Sequence, residues 1–166
     1  MQVKASVKIT RKEMYDYLLY NSYSSILGVL VVIFGIVNLA MGINGLITGN
    51  SATAFMYIAF GVIFIFSIPI LLWVNAGVSV RSTELFKKPI EYVLDDEGIH
   101  ASQDDKSDST GWDAIVKVRA TRLSILLYVS KRSIIVIPRA SLGTQQTQAI
   151  EIISTHVDSA KVRIRQ

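Results

Sequence analysis

The chain contains no cysteine, which excludes disulfide frameworks, thiolate zinc sites and thiol nucleophiles before any spacing is considered. Charge is missing over a longer stretch, since no Asp, Glu, Lys or Arg occurs from Tyr17 through Val80. Proton relays, ion pathways and charged-substrate transport usually place an ionisable group inside the bilayer, and this stretch offers none. Histidine is scarce too. His100 and His156 are the only two, and neither stands in a metal-ligand or catalytic spacing, although Asp96, Asp104 or Asp158 would be a nearby carboxylate for one of them. No GxSxG elbow, glycine-rich phosphate loop or HExxH helix occurs. No catalytic, cofactor-binding or metal-ligating residue is assigned, and neither an enzymatic activity nor a cofactor is expected.

What the chain has in excess is apolar residues, 51% of 166, with a mean hydropathy of +0.41, and they are concentrated in two runs. Residues 25–46 read SILGVLVVIFGIVNLAMGINGL and residues 52–74 read ATAFMYIAFGVIFIFSIPILLWV. At 1.5 Å per residue, each is long enough for a hydrocarbon core of roughly 30 Å. The uncharged turn at 47–51, rich in Gly, Asn and Ser, returns the chain at once, so the two spans form a hairpin. Two spans in succession, the first too long for a signal-peptide core and lacking a small-residue cleavage pattern, argue against a cleaved leader.

Basic residues precede the first span (Lys4, Lys8, Arg11, Lys12) and follow the second (Arg81, Lys87, Lys88), while the turn has none. Both termini are therefore expected in the cytoplasm, with the protein multi-pass in the cell membrane and the turn outside. Tyr15, Tyr17, Tyr20 and Tyr23 lie on the approach and suit the headgroup zone. Gly28, Gly35, Gly42 and Gly45 in the first span, with Ala59 and Gly61 in the second, permit close helix approach, expected between the two arms of the hairpin.

The flanks read differently. Val3 to Ile9 alternates apolar and polar residues as a half-buried strand does, and Thr10-Arg11-Lys12-Glu13 has capping-box spacing for a helix running from residue 11 to the membrane. After Pro89 the pattern predicts five strands, at 90–94, 98–103, 109–118, 123–129 and 133–138, in an antiparallel meander. The acidic stretch Asp104-Asp105-Lys106-Ser107-Asp108 reads as a solvated hairpin loop. A helix from Leu142 to Val157, with Ile150, Ile153 and Val157 on one face, covers the sheet. Neither flank alone buries much surface, so the first strand is expected to join the later ones. The fold class is thus an α+β membrane protein, with residues 1–24 and 75–166 forming a small antiparallel β domain capped by a C-terminal helix and interrupted by the transmembrane hairpin. Its strand order resembles a pleckstrin-homology-like architecture.

The elements Tyr92-Val93-Leu94, Asp96-Glu97-Gly98-Ile99, Gly111-Trp112-Asp113-Ala114-Ile115-Val116-Lys117-Val118, and Tyr128 with Ile135-Val136-Ile137-Pro138-Arg139 make the chain similar to the YcxB-like family of small bacterial membrane proteins. That resemblance implies the layout of two membrane helices before a β-rich domain, and no reaction, ligand or catalytic residue.

A net charge of +4 is too small to suggest nucleic acid but suits a domain lying on an anionic membrane. Lys117, Arg119, Arg122, Lys131, Arg132 and Arg139 fall in or beside adjacent strands and are the candidate lipid or partner contacts, with Lys161, Arg163 and Arg165 as additions. Trp112 is expected as a core anchor, the alternative being a groove-lining side chain. The expected function is a non-enzymatic, membrane-anchored interaction module contacting anionic lipid or a protein partner. The alternative is a subunit of an oligomeric channel or transporter, prompted by the glycine-bearing first span and by Asn38, the polar amide near mid-span.

Overall fold

Val3–Val7 alternates buried Val3, Ala5 and Val7 with exposed Lys4 and Ser6, the pattern of a strand with one covered face. This strand, β1, is followed by α1 (Arg11–Tyr23), α2 (Ile26–Ile47) and α3 (Ser51–Ser82). Then come β2 (Ile90–Leu94), β3 (Gly98–Gln103), β4 (Lys106–Gly111), β5 (Lys117–Ala120), β6 (Ser124–Tyr128) and β7 (Ile134–Pro138). The chain closes with α4 (Arg139–Leu142), α5 (Gln146–His156) and β8 (Val162–Arg163). This computed structural model describes residues 2–130 and 133–164. It divides into two compact units, Met1–Tyr17 with Gly77–Gln166, and Leu18–Ala76.

The second unit carries the two helices that are long and apolar enough to cross a membrane. Ser25 caps α2, its Oγ accepting from the Gly28 amide at 3.1 Å, and Gly49, at φ +80°, supplies the left-handed residue that the tight return needs. The glycines seat the helices on one another. A methyl group at Gly35 would lie 2.7 Å from Ile65 Cγ1, one at Gly42 2.5 Å from Ile58 Cγ1, and one at Gly61 2.6 Å from Leu39 Cγ. Asn38 is 7% exposed, and its amide donates to the carbonyl of Phe34 one turn back at 2.8 Å. The features that prompt a channel are thus used within a single hairpin. The helix of the second span is longer than the expected 52–74 and runs to Ser82, where a 3₁₀ turn at Glu84–Phe86 follows.

The first unit joins both flanks, as expected: β1 pairs antiparallel with β2, Val3 opposite Leu94 and Val7 opposite Ile90. The capping box forms, with Glu13 Oε2 accepting the Thr10 amide at 3.0 Å and the Thr10 hydroxyl accepting that of Lys12 at 3.3 Å. There are two sheets, ordered β1-β2-β3-β4 and β7-β6-β5-β8, rather than one meander. The single strand expected at 109–118 is broken by a 3₁₀ turn at Trp112–Ala114, which carries the chain from one sheet to the other. The break lets Trp112 and Ile115 both enter the core, which uninterrupted alternation across three residues does not allow. β8 was not expected, and its pairing with β5 is parallel. The expected helix at 142–157 begins earlier and is interrupted at Gly143, whose φ of +52° ends α4. Its buried stripe is Ala149, Ile152, Ile153 and Val157, with Ile150 only half-buried. Every residue of β6 is buried, including Ser124, so this strand lies at the centre of the core.

Candidate binding groove

Among the described residues, the basic side chains singled out in the sequence lie at both ends of their sheet. β5 is an inner strand flanked by β6 and β8. Lys117 lies over the Tyr128 ring at 4.2 Å, and Arg119 is spent on the carbonyls of Val118 and Lys161 at 2.7 and 2.9 Å. Arg122 is exposed in the β5–β6 turn, and Arg139, whose amide donates to the Leu123 carbonyl at 2.8 Å, begins α4 at that same end of the sheet. Lys117 pairs with Tyr128 at the other end. Lys131, Arg132 and Arg165 lie outside the described residues.

Charge is nevertheless divided along the chain. Residues 90–113, which include β2 to β4, carry eight of the thirteen acidic side chains and one of the seventeen basic ones. Residues 114–163, which include β5 to β8, carry eight basic and two acidic side chains.

Both histidines have partners within the fold. His156, near the end of α5, stacks on Trp112 with ring centroids 5.5 Å apart and stands 3.7 Å from Asp96. Trp112 is 7% exposed and donates from Nε1 to the Asp95 carbonyl at 2.9 Å, so it is the core anchor expected rather than a groove wall. His100 meets Asp95 Oδ1 at 3.2 Å through Nε2 and Ser109 Oγ at 3.0 Å through Nδ1. A serine–histidine–aspartate chain needs free donors aimed at a developing oxyanion. The nearby amides of Glu97 and Gly98 instead donate to Asp95 Oδ1, at 3.0 and 3.2 Å, closing the β2–β3 turn. Burial works against the charged form of Asp95, but those two amides and then His100 outweigh it and hold the carboxyl below its ordinary range.

A depressed folded-state value means that Asp95 contributes stability above the unfolded carboxylate range near ~4, which is lost as pH falls through the folded value. Asp95→Asn is therefore expected to lower the melting temperature at pH 7, with the gap from the unsubstituted protein narrowing below about pH 4. Thermal unfolding across pH measures it, and a gap independent of pH would contradict the assignment.

Concavity occurs elsewhere, on the β2–β3–β4 sheet. A groove of about 620 Å³ has Ile90, Tyr92 and Ala101 as its floor and Leu85 as one wall. Tyr92 and Ala101 are direct cross-strand partners. The opposite rim is Asp105, Lys106 and Asp108, and here the structure corrects the expected loop. Only Asp104 and Asp105 turn, Asp104 at φ +52°, and β4 begins at Lys106. The Leu85 wall is fastened in place: the Gln103 amide donates to the carbonyls of Leu85 and Lys88, both at 3.0 Å, and Lys88 pairs with Asp104 at 2.7 Å. Behind the floor, a smaller cavity of about 90 Å³ shares Ile90 and Tyr92 and adds Met14, Tyr17, Phe86 and Val136. Burial pushes the Tyr17 and Tyr92 phenols up, so Tyr17 serves the soluble unit and not only a headgroup belt. The sequence gives no local sign of this groove, because Leu85 and the β3–β4 hairpin meet only in the fold.

No curated protein and no solved structure matches the chain. Residues 94–154, from the end of β2 through most of α5, match the family model described as YcxB-like protein.

Proposed function

We propose that the chain is a non-enzymatic interaction module anchored in the bacterial cell membrane by its hairpin, with both termini cytoplasmic and the β5–β8 sheet meeting anionic lipid. The supporting observation is the division of charge along the chain, with eight basic and two acidic side chains in residues 114–163 and eight acidic and one basic in residues 90–113. An anionic leaflet attracts the first and repels the second, so the field orients the unit as well as holding it, at roughly 1 kcal/mol per basic residue near the surface. Connectivity adds to this, because the soluble unit is built from segments on both sides of the hairpin and is tethered twice. Two sheets of four strands with a C-terminal helix support a pleckstrin-homology-like architecture. Nucleic acid is not a partner on this reading.

The test is hydrogen exchange on the full chain in nanodiscs of phosphatidylcholine alone or mixed with phosphatidylserine. Added protection across residues 117–139 in the anionic discs is expected, and Lys117→Glu with Arg122→Glu should remove about 2 kcal/mol of it, roughly a thirtyfold shift in the docked population. Equal protection in both lipids would refute lipid contact.

A further inference from the structure

We propose that the groove on the β2–β3–β4 sheet docks an extended segment of a partner protein in which an apolar side chain is flanked by basic ones. This deepens the interaction-module reading and rests on it, while assigning the partner to the other sheet. Three features carry the inference.

The groove is built rather than incidental. Leu85 is 54% exposed, and its segment is held by the Gln103 amide and the Lys88–Asp104 pair. A concave, mostly apolar site with a few convergent polar groups is where ligands usually dock.

Its charge selects the partner. Asp104 is neutralised by Lys88; among the described residues, Asp105 and Asp108 have no salt-bridge partner, and Lys106 offsets only one of them. Asp105 and Asp108 against Lys106 leave the rim of the groove with a net negative charge. A cationic segment is attracted there, and an anionic lipid headgroup is not.

The edge geometry fixes how the segment lies. Among the described residues no strand pairs with the outer side of β4, which would invite strand addition. Asp108 Oδ1, however, already accepts the Ser109 amide at 2.9 Å, blocking the middle of that edge. The occupant therefore lies across the groove, its apolar side chain on Tyr92 and Ala101 and its basic ones at Asp105 and Asp108.

The experiment uses the full chain in phosphatidylcholine nanodiscs, where basic peptides have no anionic lipid to bind. Fluorescent acetyl-Lys-Leu-Lys-Leu-Lys-amide is titrated by anisotropy against acetyl-Lys-Ser-Lys-Ser-Lys-amide and acetyl-Glu-Leu-Glu-Leu-Glu-amide. The first is expected to bind and the other two at least tenfold more weakly. Both Leu85→Ser and the Asp105→Lys, Asp108→Lys pair should weaken it at least tenfold; all three positions are exposed, so the fold is retained, as circular dichroism would verify. Equal binding of the serine peptide, unchanged binding to the variants, or no saturable binding would overturn the proposal. Lys117→Glu with Arg122→Glu separates the two readings, since it should shift the lipid-docked population roughly thirtyfold while leaving peptide affinity unchanged.

Discussion

Trp112→Ala is expected to destabilise the soluble unit by about 3–5 kcal/mol, the cost of emptying a large aromatic site in a core that relaxes only in part. The ring is 7% exposed, stacks on His156 of α5 and bonds through Nε1 to the β2–β3 turn at Asp95. It thus ties the crossing between the sheets to the closing helix and to a hairpin turn. A domain assembled from two flanks with a total stability of only 5–15 kcal/mol has little reserve against such a loss. Trp112→Phe keeps a smaller apolar ring and loses the bond to the Asp95 carbonyl, and about 1–3 kcal/mol is the expected cost. Denaturant titration followed by circular dichroism measures both, and equal losses in the two variants would mean that the hydrogen bond, not the packed ring, dominates.

Gly42→Val is expected to cost the hairpin about 1–3 kcal/mol, the usual range for overpacking a close contact. A Cβ there would sit 2.5 Å from Ile58 Cγ1 and 3.0 Å from both the Ala54 carbonyl oxygen and the Ile58 amide nitrogen. Backbone atoms cannot swing aside, so the helices must separate, and in lipid close packing is most of what holds them together. Val37→Leu, on a side chain 48% exposed within the same helix, serves as the control and should be close to neutral. Unfolding in mixed micelles of rising dodecyl sulfate content measures the pair. If both substitutions behave alike, the glycines do not form the contact.

Both apolar helices and the hairpin between them were legible because an uncharged, apolar run of that length seldom folds as anything but a long helix, and Thr10 with Glu13 marked the start of α1 to the residue. β2 and β3 were read with their observed bounds, since Pro89 and the Asp95–Gly98 turn punctuate them. The break at Trp112 was not legible: alternation continues through 109–118, and it is the tertiary placement of Trp112 and Ile115 that overrides it. β8 was hidden for a related reason, because two residues carry no periodicity and their partner strand lies over forty positions away. Gly143 was the visible signal of the interruption before α5, but the apolar spacing around it favoured one continuous helix. Which of the basic residues are neighbours was not legible, since strand order decides it. The groove depends on Leu85, Tyr92, Ala101 and Asp108 meeting across the fold, which no local pattern encodes.

The absence of native cysteine makes one measurement especially direct. Single cysteines at Arg122 in the β5–β6 turn and at Ser107 on β4, each carrying a bimane, are read in nanodiscs whose lipids bear a headgroup spin label. With phosphatidylserine present, the label at Arg122 should be strongly quenched and that at Ser107 should not, and the difference should fall when salt is raised. Equal quenching at the two positions, or a difference indifferent to lipid charge, would contradict a module held at the membrane by its β5–β8 sheet.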